Sequence, residues 1–154
     1  MEIARLRTFL RAHRRIALDT CIFIYQWEGN PRYSRLTDYI FASLEQSELV
    51  AVTSTITMTE LLVHPYRDHD VVRVNELFGL LSTYPKLEWV APQLEIAAGA
   101  AEIRAQFGLR TPDALQAATA LHAGASAFLT NDPVFQGLPN LDVLILDDLV
   151  SART

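Results

Sequence analysis

The strongest constraint on this chain's fold is a set of short, mostly unbroken apolar runs: Ile16 to Leu18, Leu49 to Val52, Leu87 to Val90, Ala127 to Leu129 and Val143 to Leu146. A strand with one wet face alternates apolar and polar residues, whereas a strand apolar along its length is buried on both faces. The segments between these runs have helical periodicity. Alternating strands and helices of this kind predict an α/β fold, three layers deep, with a central and mainly parallel sheet joined by right-handed crossovers.

The helical segments can be placed in order. Residues 2–13 read as an amphipathic helix with Ile3, Leu6, Leu10 and His13 on one side and arginines on the other. Residues 32–47 put Leu36, Ile40 and Leu44 inward. Thr53, Ser54 and Thr55 offer caps for a helix to Val63, expected to stop near Pro65. Val71, Val74, Phe78 and Leu81 mark another stripe, and Ile96, Ala100, Ile103 and Phe107 a further one that ends at Gly108. Thr111 is a good N-cap, followed by Pro112 and Asp113, with Ala114, Ala117, Ala118 and Leu121 inward up to Gly124. The run from Cys21 to Tyr25 fits strand or helix equally.

Length and composition exclude several classes. The 154 residues suit one domain, and 50% hydrophobic residues predict a full core. No apolar run approaches the ~20 residues that span a bilayer, and no secretory signal is evident. The single cysteine, Cys21, rules out an internal disulfide and fits a reducing cytoplasm. The net charge of −5 argues against a general nucleic-acid coat protein. Its distribution is uneven. Residues 1–15 carry Arg5, Arg7, Arg11, Arg14 and Arg15 against Glu2 alone, a local +4, which leaves −9 on the remaining 139 residues. We therefore divide the chain into a basic helical extension, residues 1–14, and a domain, residues 15–154.

Ligands of open parallel sheets bind beyond the carboxyl ends of the strands. Four acids are expected there. Asp19 ends the first strand, Glu60 lies in the helix after the second, Asp113 opens the last long helix and Asp132 follows the fourth strand. Helix capping or turn chemistry would explain Asp19, Asp113 and Asp132 singly. Glu60 shares a face with Ile56 and Val63 in a nearly all-apolar helix, so it is expected to be buried, which requires a partner. Ala117, four residues after Asp113, is on the inward stripe, which turns Asp113 toward the sheet edge. Converging carboxylates repel one another unless a cation neutralises them, and hard oxygen donors select magnesium, manganese or calcium. Magnesium in such a site implies phosphoryl chemistry.

Four segments carry a family resemblance: Asp19-Thr-Cys-Ile-Phe-Ile-Tyr25, Thr59-Glu-Leu61, Thr111-Pro-Asp-Ala-Leu-Gln-Ala-Ala118 and Leu129-Thr-Asn-Asp132. Together, and in this order across most of residues 15–150, they resemble the acid motifs of PIN-domain nucleases, especially VapC-type toxins. The resemblance implies an endoribonuclease dependent on Mg2+ or Mn2+, with a compact α/β/α fold, frequent homodimers and a cognate antitoxin that blocks the site. By position, Asp19, Glu60, Asp113 and Asp132 would be the catalytic, metal-binding acids, with Thr130 a supporting hydroxyl behind them. Two departures stand out: the family often has asparagine or a similar polar residue where Cys21 stands, and it usually begins at the first strand. Arg110 is a candidate contact to substrate phosphate near the helix terminus.

Other chemistries have less support. A Cys21 nucleophile with His64 or His122 as base competes with a structural cysteine inside an apolar run, the better reading. An aspartate-dependent phosphatase on Asp19 lacks a second aspartate two positions on, where Cys21 stands. A catalytically inactive module that binds nucleic acid or protein would not need inward-facing carboxylates.

Overall fold

The computed structural model describes residues 1–151. Residues 152–154, the end of the expected 15–154 domain, lie outside the described residues. In chain order the elements are α1 (Glu2–Arg11), β1 (Arg15–Leu18), α2 (Thr20–Trp27), α3 (Ser34–Gln46), β2 (Val50–Ser54), α4 (Thr55–Arg67), α5 (Val71–Ser82), β3 (Leu87–Val90), α6 (Leu94–Phe107), α7 (Thr111–His122), β4 (Ala127–Thr130), a 3-10 turn (Pro133–Phe135), β5 (Asp142–Ile145) and α8 (Leu146–Val150).

The five strands form one sheet in the order β3-β2-β1-β4-β5, and every pairing is parallel. The apolar runs are explained by two cores, one on each face. Ile16 and Leu18 of β1 join Ala51, Ala127 and Leu129 in a core with α1, α2, α3, α5 and α8. Ala17, Val52 and Phe128 point the other way, into a core with α6 and α7. Successive strand residues thus serve opposite layers, as pleating requires. The α6–α7 layer is built largely of small residues, and Cβ of Ala118 stands 3.7 Å from where a Cβ on Gly99 would lie.

Several sequence expectations need correction. The Cys21–Tyr25 run is helical, within α2, which Asp19 opens by accepting a hydrogen bond from the Thr20 N–H. Helix α4 does not stop at Pro65 but runs to Arg67. A proline near the C-terminus forfeits one hydrogen bond and leaves the remaining turn intact. The buried stripe of α5 is Val74, Leu77 and Leu81, with Val71 and Phe78 exposed. Phe107 and Leu121 are also exposed. Leu146 is the first residue of α8, not the end of a strand. His13 lies beyond α1, where its ring nitrogens meet Ser126 Oγ at 2.7 Å and Asp142 Oδ2 at 3.0 Å.

Helix α1 is part of the body of the molecule. Leu6 is fully buried and Leu10 nearly so, both within the larger core. Removing a buried leucine side chain costs about 2–5 kcal/mol, the lost transfer energy plus the cavity left behind. Leu6→Ala is expected to lower unfolding stability within that range in urea titration. A cost near zero would show that α1 contributes nothing to the core.

Candidate active site

Strand order determines where a ligand can sit. From β1 the chain moves to β2 and β3 on one side, then crosses to β4 and β5 on the other. The crossovers after β1 and β4 therefore leave in opposite directions, and a crevice opens between those strands at their carboxyl ends. Asp19 follows β1 and Asp132 closely follows β4. Glu60, on α4, and Asp113, in the first turn of α7, border the same cavity of about 400 Å³, together with Thr20, Cys21, Tyr25 and Asn131. All four acids proposed from the sequence thus line one cleft.

Asp19 is the most constrained of them. Its backbone N–H donates to the Leu129 carbonyl at 3.0 Å, which anchors it to β4. Oδ1 accepts from the Thr20 N–H at 2.9 Å, and Oδ2 accepts from the Thr130 hydroxyl at 2.7 Å. The same Thr130 oxygen accepts the Asp132 N–H at 3.1 Å. Burial pushes the Asp19 carboxyl up to about 6, the two hydrogen bonds oppose that rise, and the charges of Asp113 and Glu60 add to it.

The remaining acids are held more loosely. Glu60 is exposed, contrary to the expectation of burial, because α4 buries chiefly its Thr57 and Leu61 side and leaves Ile56 and Val63 only half covered. Its Oε1 accepts from the Thr20 hydroxyl at 3.1 Å. Asp113, with a side chain 16% exposed, accepts from Arg110 Nε at 3.3 Å, and that arginine is 80% exposed. So open an ion pair contributes at most ~1 kcal/mol and leaves the carboxylate available. Asp132 caps the 3-10 turn through the Val134 N–H.

A polar chain beneath the cleft escaped the sequence reading. The Thr53 hydroxyl meets the Leu18 carbonyl at 2.9 Å and the Thr57 hydroxyl at 2.7 Å, and Gln116 Nε2 donates to Thr57 at 2.8 Å. A carbonyl only accepts, so Thr53 donates to Leu18, Thr57 donates to Thr53, and Thr57 accepts from Gln116. Thr20 lies 3.3 Å from Thr57, and its one proton can go there or to Glu60. The available signal was Gln116 beside inward Ala117, and Thr57 one turn before Glu60. At the rim, Asn131 accepts from the Asp147 N–H and donates to the Tyr25 hydroxyl.

The donor set has the chemistry of a hard-cation site, carboxylate and hydroxyl oxygens around a buried anion whose charge is costly. A cation beside Asp19 would offset that cost. As the side chains stand, no three Asp, Glu, His or Cys groups among the described residues are gathered closely enough to hold an ion. Cys21 lines the cavity, but burial, with the Asp19 charge adding to it, pushes its thiol up to about 12, so it carries no thiolate nucleophile near neutral pH.

A model of the PIN domain matches residues 16–141. The chain belongs to the PIN domain family. PIN domains are nucleases. Similar folds occur in solved structures. One is a chain of a toxin–antitoxin complex from Klebsiella pneumoniae, 23% identical, with a TM-score of 0.60 over 82% of this chain and 95% of that one. Another belongs to VapBC2 from Rickettsia felis bound to a DNA fragment from its promoter, 18% identical, with a TM-score of 0.65 over 85% and 98%. A third belongs to DNA-bound VapBC from Salmonella typhimurium, 18% identical, with a TM-score of 0.60 over 86% and 98%. No match is found among curated protein sequences. The PIN match excludes α1.

Two outcomes test this geometry. Thr57→Val removes the hydroxyl between Gln116 and Thr53 and leaves a buried amide without its acceptor. The expected cost is about 1–3 kcal/mol in denaturant unfolding, and an unchanged midpoint would refute the chain. The second concerns Asp19 in chelator. Its folded-state pKa is raised above the unfolded value, so the native state holds the extra proton. Asp19 thus destabilises the fold progressively as pH rises from about 4 to about 6, and the penalty persists above. The melting temperature of Asp19→Asn minus that of wild type should rise across this window, and a flat difference would contradict it.

Proposed function

We propose that this chain is a divalent-cation-dependent endoribonuclease of the VapC type, the toxin of a toxin–antitoxin pair. The observation that carries the reading is the meeting of Asp19, Glu60, Asp113 and Asp132 on one cavity at the switch point of a PIN fold. PIN nucleases generally use divalent ions. Mg2+ or Mn2+ fits the all-oxygen donors better than zinc does. Family membership favours this activity over an aspartate-dependent phosphatase. The four acids favour it over an inactive binding module.

The reaction is hydrolysis of a phosphodiester: a water oxygen adds to phosphorus, one P–O ester bond breaks, and the leaving oxygen gains a proton. Asp19, Glu60, Asp113 and Asp132 would hold the cation, which when bound supplies positive charge to the phosphate oxygens. Thr130 fixes one Asp19 oxygen and the Thr20 N–H the other, so that carboxylate keeps a single orientation. Glu60 or Asp132, the looser acids, would take the proton released by water. Arg110, exposed at the α7 terminus, is placed to meet substrate phosphate.

The neighbouring toxin–antitoxin folds support a cognate antitoxin. An apolar groove of about 910 Å³ between α4 and α5, walled by Met58, Leu62, Val63, Tyr66, Phe78 and Trp89, suits an apolar segment of that partner. We also propose a homodimer and a cytoplasmic location. No helix among the described residues is long and apolar enough to cross a membrane.

Incubation of purified protein with total RNA and magnesium, followed by sequencing of the new RNA ends, should reveal defined cuts. Asp19→Asn and Asp113→Asn should each lose them, by at least ~100-fold in rate, with folding retained. Wild-type turnover in either variant would overturn the assignment of these acids.

A further inference from the structure

The five arginines of residues 1–15 divide into two groups. Arg5 donates to the Asp148 carbonyl, and Arg15 is bidentate to Glu88 at 2.7 and 3.1 Å. Arg7, Arg11 and Arg14 are exposed and have no partner among the described residues. Arg7 and Arg11 are one turn apart on α1, Arg14 follows in the connection to β1, and all three line a cleft of about 470 Å³ against α3. The opposite wall offers the Gln46 amide, the Ser43 and Ser47 hydroxyls donate to the Tyr39 and Ser43 carbonyls, and Glu48 is the only acid on the lining. Like charges one turn apart repel, so the fold gains nothing from this grouping. The helix dipole accounts for Arg11 in the last turn but not for Arg7 or Arg14.

Arg14 immediately precedes β1, and Asp19 immediately follows it. The cleft is therefore at the amino edge of the sheet and the acids at the carboxyl edge, separated by about 13 Å of strand. This arrangement answers an electrostatic problem. A polyanion meets repulsion from a body of −9 and from four carboxylates at the acid cleft, where Arg110 is the nearby cation. An attractive field elsewhere on the molecule is what raises the encounter rate.

We propose that the α1–α3 cleft is a second binding site, one that grips the phosphate backbone of single-stranded RNA through Arg7, Arg11 and Arg14 and tethers the strand whose scissile bond enters the acid cleft. Guanidinium forks with a side-chain amide beside them are groups that contact phosphates without reading bases. The choice of RNA rests on the ribonuclease reading of the acid cleft. The three arginines lie outside the PIN match, whereas the α3 wall they face lies within it.

The test measures binding of a long single-stranded RNA to the full chain in an Asp19→Asn background, where the RNA stays intact, across a range of salt. Replacing Arg7, Arg11 and Arg14 together by glutamine should make the slope of log affinity against log salt shallower by about 2, since each phosphate contact on single strands contributes ~0.7. Replacing all three by lysine keeps the charge and should restore most of the slope. An unchanged slope in the glutamine variant overturns the proposal. So does poly-glutamate competing as well as poly(U), which would make the ligand an acidic protein. The two readings fail separately: RNA binding through these arginines without any cleavage by wild type keeps this site and removes the nuclease, whereas cleavage with an unaltered slope removes this site alone.

Discussion

The organisation of the site follows from the placement of one carboxylate between two adjacent parallel strands. Asp19 leaves β1, is pinned by its N–H to the end of β4, and receives the hydroxyl of Thr130 from that same strand. Because β1 and β4 flank the point where the sheet order reverses, the pairing that completes the sheet also opens the crevice. The cost appears in the acidity of Asp19, which burial pushes up to about 6 against two hydrogen bonds that favour the anion. A fold that accepts this cost holds an unstable negative charge in reserve for a counter-charge.

The surrounding acids are graded by how firmly they are held. Asp19 is fixed at both oxygens, Asp113 is mostly covered behind an open arginine, Asp132 is tied to a turn, and Glu60 projects from a helix only partly embraced by its neighbours. A rigid acid with looser ones beside it suits the nuclease cleft proposed above.

Much of this was legible in the chain itself. The unbroken apolar runs gave the parallel sheet and its double burial because strand pleating forces alternate residues into two cores. The acids were legible because strand ends and helix starts leave marks of capping and turn chemistry around Asp19, Asp113 and Asp132. What could not be read depended on tertiary cover. Glu60 was expected inside because its neighbours in sequence are apolar, yet how much of α4 is covered depends on distant elements. The Cys21–Tyr25 run was ambiguous because its period is hidden when every residue is apolar, and the Asp19 cap, one of several roles open to that residue in the sequence, resolves it as helix. The chain through Thr53, Thr57 and Gln116 joins β2, α4 and α7, and no local spacing announces such a junction.

That chain has a consequence for how α2 and α4 stay joined beneath the cleft. Every hydrogen along it has a fixed destination except that of Thr20, which stands between the Glu60 oxygen and the Thr57 oxygen at nearly equal reach. While Glu60 is a bare anion, the charge claims that hydrogen. Both acceptors belong to α4, so whichever one takes the hydrogen, the Thr20 hydroxyl still ties α2 to the helix that carries Glu60. A single hydroxyl thus staples two helices at the floor of the acid cleft in either of its two orientations.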